Sequence, residues 1–192
     1  MLRIGITGGI GSGKSIVSGI FEILNVPVYS ADTKGKEFLT QQDVIQQIEN
    51  EFGNVTIQGQ IDRVRLASVV FSQQDKLEKL NSIIHPLIKD DFEKWCILYS
   101  DNPYVIMESA ILFESGFSLM FDYTIHVYCP LEIRIQRVMH RDNTTKSAIE
   151  ARINNQWDDE KISSHASHRI VNDYKTALLP QIISLNTEFC KF

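Results

Sequence analysis

Three features of the sequence predict an α/β fold, with a parallel sheet covered by helices on both faces in an α/β/α three-layer arrangement. Five short apolar runs alternate with segments of helical period, as crossover connections between parallel strands require. The first run breaks into four glycines, Gly8, Gly9, Gly11 and Gly13, and helical spacing resumes directly after them. The chain of 192 residues is the length of one domain or of one domain with insertions, and is 43% hydrophobic and 22% charged, which supports a real core and argues against disorder.

Taken in order, Leu2–Thr7 is apolar and β-prone, a buried strand. Ile16, Val17, Ile20, Phe21 and Leu24 then share one face of a helix, and 26–29 forms a second strand that runs into Ser30, Ala31 and Asp32. Residues 33–100 differ in character and read as a largely helical insertion. Val44, Ile45, Ile48 and Phe52 repeat as an amphipathic helix. Residues 55–57 and Ile61 flank Gln58, Gly59 and Gln60 as a small hairpin or turn. Segments 63–71 and 76–84 read as helices, and Pro86 fits the first position of a new helix carrying Leu87, Ile88, Phe92, Trp95 and Tyr99. Residues 104–107 make a third strand ending on Glu108, 122–129 a fourth stopped by Pro130, and 168–172 a fifth. Between the last two, 131–165 is polar, helical and rich in arginine. Right-handed crossovers place the carboxyl ends of all five strands on one edge.

The glycines answer to the pattern Gly8-x4-Gly13-Lys14-Ser15, the phosphate-binding loop. Such a loop turns backbone N–H groups toward an anion, and the following helix adds its N-terminal dipole. Lys14 reaches the β- and γ-phosphates, and the Ser15 hydroxyl is a ligand for Mg²⁺. The whole is a P-loop NTPase fold with a five-stranded parallel sheet, a helical substrate insertion at 33–100 and a helical lid at 131–165, in one domain over 1–192.

Composition excludes other classes. A net charge of −5 supplies no basic field for nucleic acid. No apolar run approaches the length of a membrane span. Cys96, Cys129 and Cys190, with no CxxC spacing, read as reduced thiols of a cytoplasmic protein.

Asp32 and Glu108 each follow a strand and are expected on the edge that carries the loop. One carboxylate beside a γ-phosphate can accept a proton from an attacking hydroxyl, and another can hold a metal-bound water. Glu108 occupies the metal side and Asp32 the acceptor entrance; the alternative is that each caps the next helix. Glu114 is a helix-surface acid or, from its nearness to Glu108, a supporting or substrate-facing one. Arg134, Arg137 and Arg141 form one helical stripe with His140 beside it, either a solvated face or a clamp on the phosphates. In the clamp reading Arg141 closes over bound ATP with Arg137 behind it, and Arg134 is structural or solvated. The turn at 142–145, and the capping-box spacing of Ser147 and Glu150, mark the segment as a lid.

The ordered set GITGGIGSGKS (5–15), SAD (30–32), GQIDR (59–63), VVF (69–71), IIHPLI (83–88), LFESG (112–116), RVMHRD (137–142), ARINNQ (151–156) and IVN (170–172) closely resembles the dephospho-CoA kinase family. The resemblance implies transfer of the ATP γ-phosphoryl to the ribose 3′-hydroxyl of dephospho-CoA, giving coenzyme A and ADP. It implies Asp32 as general base, with Lys14 and Arg141 neutralising charge. The implied ATP contacts are Gly9, Gly11, Ser12, Gly13, Lys14, Ser15, Ile16, Arg137, Arg141 and, near the adenine, Asn172. Arg63, His85, Asp32 and Glu114 face the acceptor, and Ser15 and Glu108, the latter through water, face Mg²⁺. The partners are then the two small-molecule substrates, with no nucleic acid and no membrane, in a monomer or weak oligomer. The sequence departs from the family pattern at Ser30 and Glu108, where the family has Asp, at Ala110 (Pro), at Ser167 (Asp) and at Tyr174 (Gly). The rivals are a nucleoside monophosphate kinase and a non-catalytic ATP sensor; the lack of an NKxD motif disfavours a GTPase.

Overall fold

The five expected strands form one wholly parallel sheet. β1 is Leu2–Thr7 and β2 Val28–Ser30; after a two-stranded hairpin, β3 and β4, come β5 (Tyr104–Glu108), β6 (Tyr123–Tyr128) and β7 (His168–Val171). The order across the sheet is β2–β5–β1–β6–β7. In register, Ser30 and Ile6 both face Glu108, and Thr7 faces His126, so the carboxyl ends gather on one edge beside the glycine loop. The structure, a computed structural model, describes residues 1–70, 73–154 and 156–191.

Alternation along the strands sends side chains to two layers. Ile4, Ile6, Tyr104, Ile106, Ile125, Val127 and Ile170 pack with Val17 and Phe21 of helix α1 (Lys14–Ile23) and with Ile182, Leu185 and Phe189 of a C-terminal helix, Leu178–Phe189. Burying each such side chain contributes about 2 kcal/mol of transfer free energy. Ile16, assigned above to the apolar face of α1, is instead 58% exposed, since it lies in the first turn beside the loop. The C-terminal helix was not expected from the sequence, although Ile182, Leu185 and Phe189 have helical spacing; Pro180 falls in its first turn, where no intrahelical donor is needed. On the other face, Leu112 and Phe121 press against Gly5, and His126 meets Ser163.

The chain divides into two compact units, Ala31–Trp95 and the remainder. In the first, α2 (Ala31–Phe38) and α3 (Gln42–Phe52) precede the hairpin of β3 (Thr56–Ile57) and β4 (Gln60–Ile61), then α4 (Arg63–Val70) and α5 (Gln74–Leu98). The hairpin turns on Gln58 and Gly59, both at positive φ, as a two-residue connection of this kind requires. Phe71, expected to end a helix, lies outside the described residues. The expected helix start at Pro86 is overturned, because α5 runs unbroken through it. An interior proline forfeits one backbone bond and costs about 3 kcal/mol. Against that, Ile84, Ile88 and Phe92, four residues apart, are buried along a single stripe that a break would disrupt.

The arginine-rich segment in the larger unit folds as α6 (Leu131–Asp142), α7 (Lys146–Ile153) and α8 (Asp159–His165). Asn143 is left-handed, and Thr145 rather than Ser147 caps α7, accepting from the Ala148 N–H at 3.3 Å. Ile135, Val138 and Ile149 make a small separate core with Ile10 and Ile153 packed against it. Numbering on, the C-terminal helix is α9. Among the described residues no helix is long and apolar enough to cross a membrane.

Candidate active site

The glycine loop is fixed by its carbonyl groups. Asn172 Nδ2 donates to the Ser12 carbonyl at 2.8 Å, and Arg137 Nη1 donates to the same oxygen at 3.3 Å. Lys14 Nζ donates to the Gly8 carbonyl at 2.8 Å. In a planar trans peptide the C=O and the next N–H point opposite ways. Pinning the Ser12 and Gly8 carbonyls therefore turns the N–H groups of Gly13 and Gly9 away from those anchors. Gly13 caps α1 at φ 94°, and a methyl group there would strike the Asn172 amide. The first N–H groups of α1 have no intrahelical acceptor, so the loop and helix end together form an anion cradle.

Ser15 Oγ donates to Glu108 Oε1 at 3.1 Å, which joins the start of α1 to the end of β5. A hydroxyl and a carboxylate beside a phosphate cradle are hard oxygen donors of the kind Mg²⁺ takes, with phosphate oxygens and waters filling the other positions. Among the described residues no group of three or more His, Cys, Asp or Glu side chains forms a metal cluster. That donor set fits Mg²⁺ shared with a nucleotide.

The three stripe arginines have different surroundings. Arg134 is buried and donates to Asp159 Oδ2 at 3.1 Å; Asp159 also lies 3.3 Å from His126 Nε2. Its guanidinium fills the space a side chain on Gly9 would need. Arg137 reaches the loop carbonyls, the Asn172 carbonyl at 3.2 Å and the Tyr174 hydroxyl at 2.8 Å, with its guanidinium 4.2 Å from the Tyr174 ring centre. Arg141 is bound through Nε and Nη2 to the two carboxylate oxygens of Asp142, at 2.7 and 3.0 Å. That fork holds the Asp142 carboxyl below its ordinary value.

A sequence profile of dephospho-CoA kinases matches residues 2–177. A dephospho-CoA kinase of Bacteroides fragilis is 40% identical over 186 residues, covering 96% of this chain and 91% of that one. The chain belongs to the dephospho-CoA kinase family. Among solved structures, one from Thermus thermophilus has a TM-score of 0.85 at 28% identity, covering 100% of this chain and 97% of that one. A dephospho-CoA kinase from Campylobacter jejuni has a TM-score of 0.69 at 26% identity, over 98% and 97% of the two chains.

Tyr174 stands at φ 66°, in the left-handed region that a side chain adopts at a cost. That conformation brings its hydroxyl and ring to Arg137. Of the residues that the family resemblance assigns to the acceptor, Asp32 lies in the first turn of α2, Arg63 begins α4 and His85 sits on α5. These elements meet within their unit: Arg63 Nη2 donates to the Lys36 carbonyl at 3.3 Å, and Gly35 packs on Ile84 and Ile88. Burial holds the His85 imidazole below its ordinary pKa. In the larger unit, Glu114 Oε1 accepts from the Trp157 N–H at 2.7 Å. Three contributors were missed in the sequence: Asp159, Tyr174 as an arginine partner, and Gln156, whose side chain bonds to the loop at Ile10. Of these, Gln156 closes the shared ARINNQ motif, as Asn172 closes IVN, but neither motif says what its side chain holds.

Proposed function

We propose that this chain transfers the γ-phosphoryl of ATP to the ribose 3′-hydroxyl of dephospho-CoA, giving coenzyme A and ADP. The observation that carries the reading is the Ser15–Glu108 contact at the mouth of a loop whose carbonyls are tied back, in a member of this family. The N–H groups of Gly9, Gly11, Gly13, Lys14 and Ser15 bind the β- and γ-phosphates, and Ser12 and Ile16, whose own N–H groups donate to the Gly9 and Gly13 carbonyls at 3.1 and 3.0 Å, border ATP. The Lys14 ammonium adds charge there. Ser15 and, through water, Glu108 would hold Mg²⁺, which would supply charge neutralisation for the transferring group.

Asp32 takes the proton as the 3′-oxygen bonds to the γ-phosphorus and the bond to the ADP oxygen breaks in line. Arg63, His85 and Glu114 bind the acceptor within a substrate insertion at 33–100 and its surroundings. Arg141, on a lid spanning 131–165, exchanges the Asp142 carboxylate for phosphate oxygens; both ligands suit its planar fork. Arg137 backs the loop from behind, and Asn172 also borders the adenine. The enzyme works in the cytoplasm as a monomer or weak oligomer; its three cysteines form no disulfide, which suits that compartment. The test is ADP release on adding dephospho-CoA, with the product's mass raised by one phosphoryl group. Release with nucleoside monophosphates instead, or with no acceptor, would overturn the reading.

A further inference from the structure

The phosphate loop has a second anchor, on the side away from Asn172. Gln156 Oε1 accepts the Ile10 N–H at 2.9 Å, and Gln156 Nε2 donates to the Ala110 carbonyl at 2.9 Å. The orientation of the carboxamide is fixed by its partners, since one is a donor and the other an acceptor. One residue on, the Trp157 N–H is held by Glu114 Oε1, and the Trp157 ring stacks on Phe113 with centres 5.7 Å apart and planes 6° from parallel. The chain at 156–157 is thus tied to the segment after β5 by two hydrogen bonds and one ring stack. Gln156 extends the tie to the loop.

Ile10 is the loop residue that needs such a tie. It lies between Gly9 and Gly11, so the peptide planes on both sides of it turn easily. Its side chain packs against Ile135, Val138 and Ile149 of α6 and α7, the helices whose junction carries Arg141. Side chain and N–H are therefore held by the beginning and the end of the same arginine-bearing segment. The bond to Gln156 also removes the Ile10 N–H from the set facing a ligand and fixes how the neighbouring peptides turn.

We infer that Gln156 is a positioning residue for phosphoryl transfer, which presets the phosphate loop and couples it to the segment carrying Arg141. The kinetic part rests on the function proposed above, while the binding part does not. Glutamate would not replace it, because a carboxylate keeps the acceptor for Ile10 but sets a second oxygen against the Ala110 carbonyl.

The test compares Gln156→Ala and Gln156→Glu with the parent chain, using MgATP calorimetry, hydrogen exchange at the Ile10 amide and steady-state kinetics. Loss of one hydrogen bond of ordinary worth weakens MgATP binding about 5- to 10-fold. The ATP KM should rise by that factor while the dephospho-CoA KM stays within about twofold, and the Ile10 amide should lose its protection in Gln156→Ala but keep most of it in Gln156→Glu, which retains the acceptor. Unchanged ATP affinity with unchanged Ile10 exchange in Gln156→Ala would overturn the inference. So would equal rises in both KM values accompanied by a large fall in melting temperature, the pattern of a merely structural residue. Should neither variant fold, exchange on the parent chain decides: the Ile10 amide must be protected before nucleotide is added. A parent chain that binds MgATP with these effects but never phosphorylates dephospho-CoA would sink the proposed activity and leave the positioning role standing.

Discussion

Gly11→Ala tests how the phosphate loop is built. Gly11 has φ 80°, where a side chain costs about 1–2 kcal/mol. A methyl group there would lie 2.6 Å from the Arg134 carbonyl oxygen and 2.8 Å from Val138 Cγ2, well inside the ordinary 3.4–4 Å contact. Both obstacles belong to α6, and overpacking of this kind costs about 1–3 kcal/mol. The loop has fewer packed neighbours than the helix, so it takes up most of the displacement. A penalty of about 2 kcal/mol, the low end of the combined range, corresponds to about 30-fold weaker MgATP binding. Calorimetric titration measures it, with thermal melting alongside. Gly19→Ala is the matched control: that glycine is inside α1 with nothing within 4 Å of an added methyl. Alanine there adds about 1 kcal/mol of helix stability, a rise of about 2–4 °C in melting temperature, and leaves ATP affinity alone. Gly11→Ala binding MgATP within about threefold of the parent, with its melting temperature unmoved, would refute the claim that loop and α6 are in contact at this point.

Two further outcomes follow from the same structure. Asp32→Asn keeps the size of the side chain and removes its basicity, so turnover with dephospho-CoA should fall by about 10²- to 10⁴-fold while ATP affinity holds; turnover near that of the parent would remove Asp32 from proton transfer. Burial disfavours the charged form of His85, so its folded pKa lies below the ordinary 6.5 and the unfolded chain binds the proton more readily. That contribution is fully present above pH 6.5 and is lost as pH falls toward the folded value. His85→Gln should therefore show a smaller drop in melting temperature between pH 7 and pH 5, and an equal drop would contradict the assignment.

The sheet was legible because its strands are short apolar runs whose neighbours in sequence carry a different period. Pro86 misled because a local rule about proline was outweighed by the buried stripe of Ile84, Ile88 and Phe92, a fact of packing. Ile16 looked like core for the reverse reason: its spacing is right, but the loop leaves the first turn of α1 uncovered. In the candidate site, the loop and Glu108 were legible from motif and strand end. The ties that fix the loop were not. Gln156 and Asn172 reach it from 146 and 160 residues away, and although both stand in shared motifs, nothing local to those motifs says that their side chains work on a distant carbonyl or N–H.

Those separations bear on how the protein is made. The ribosome releases the glycine turn well before the strand ending at Val171. An unfinished chain has neither the amide that grips the Ser12 oxygen nor the one that grips the Ile10 nitrogen, so its turn is slack. The turn therefore takes its set shape only after residues made 146 and 160 positions later have folded back onto it.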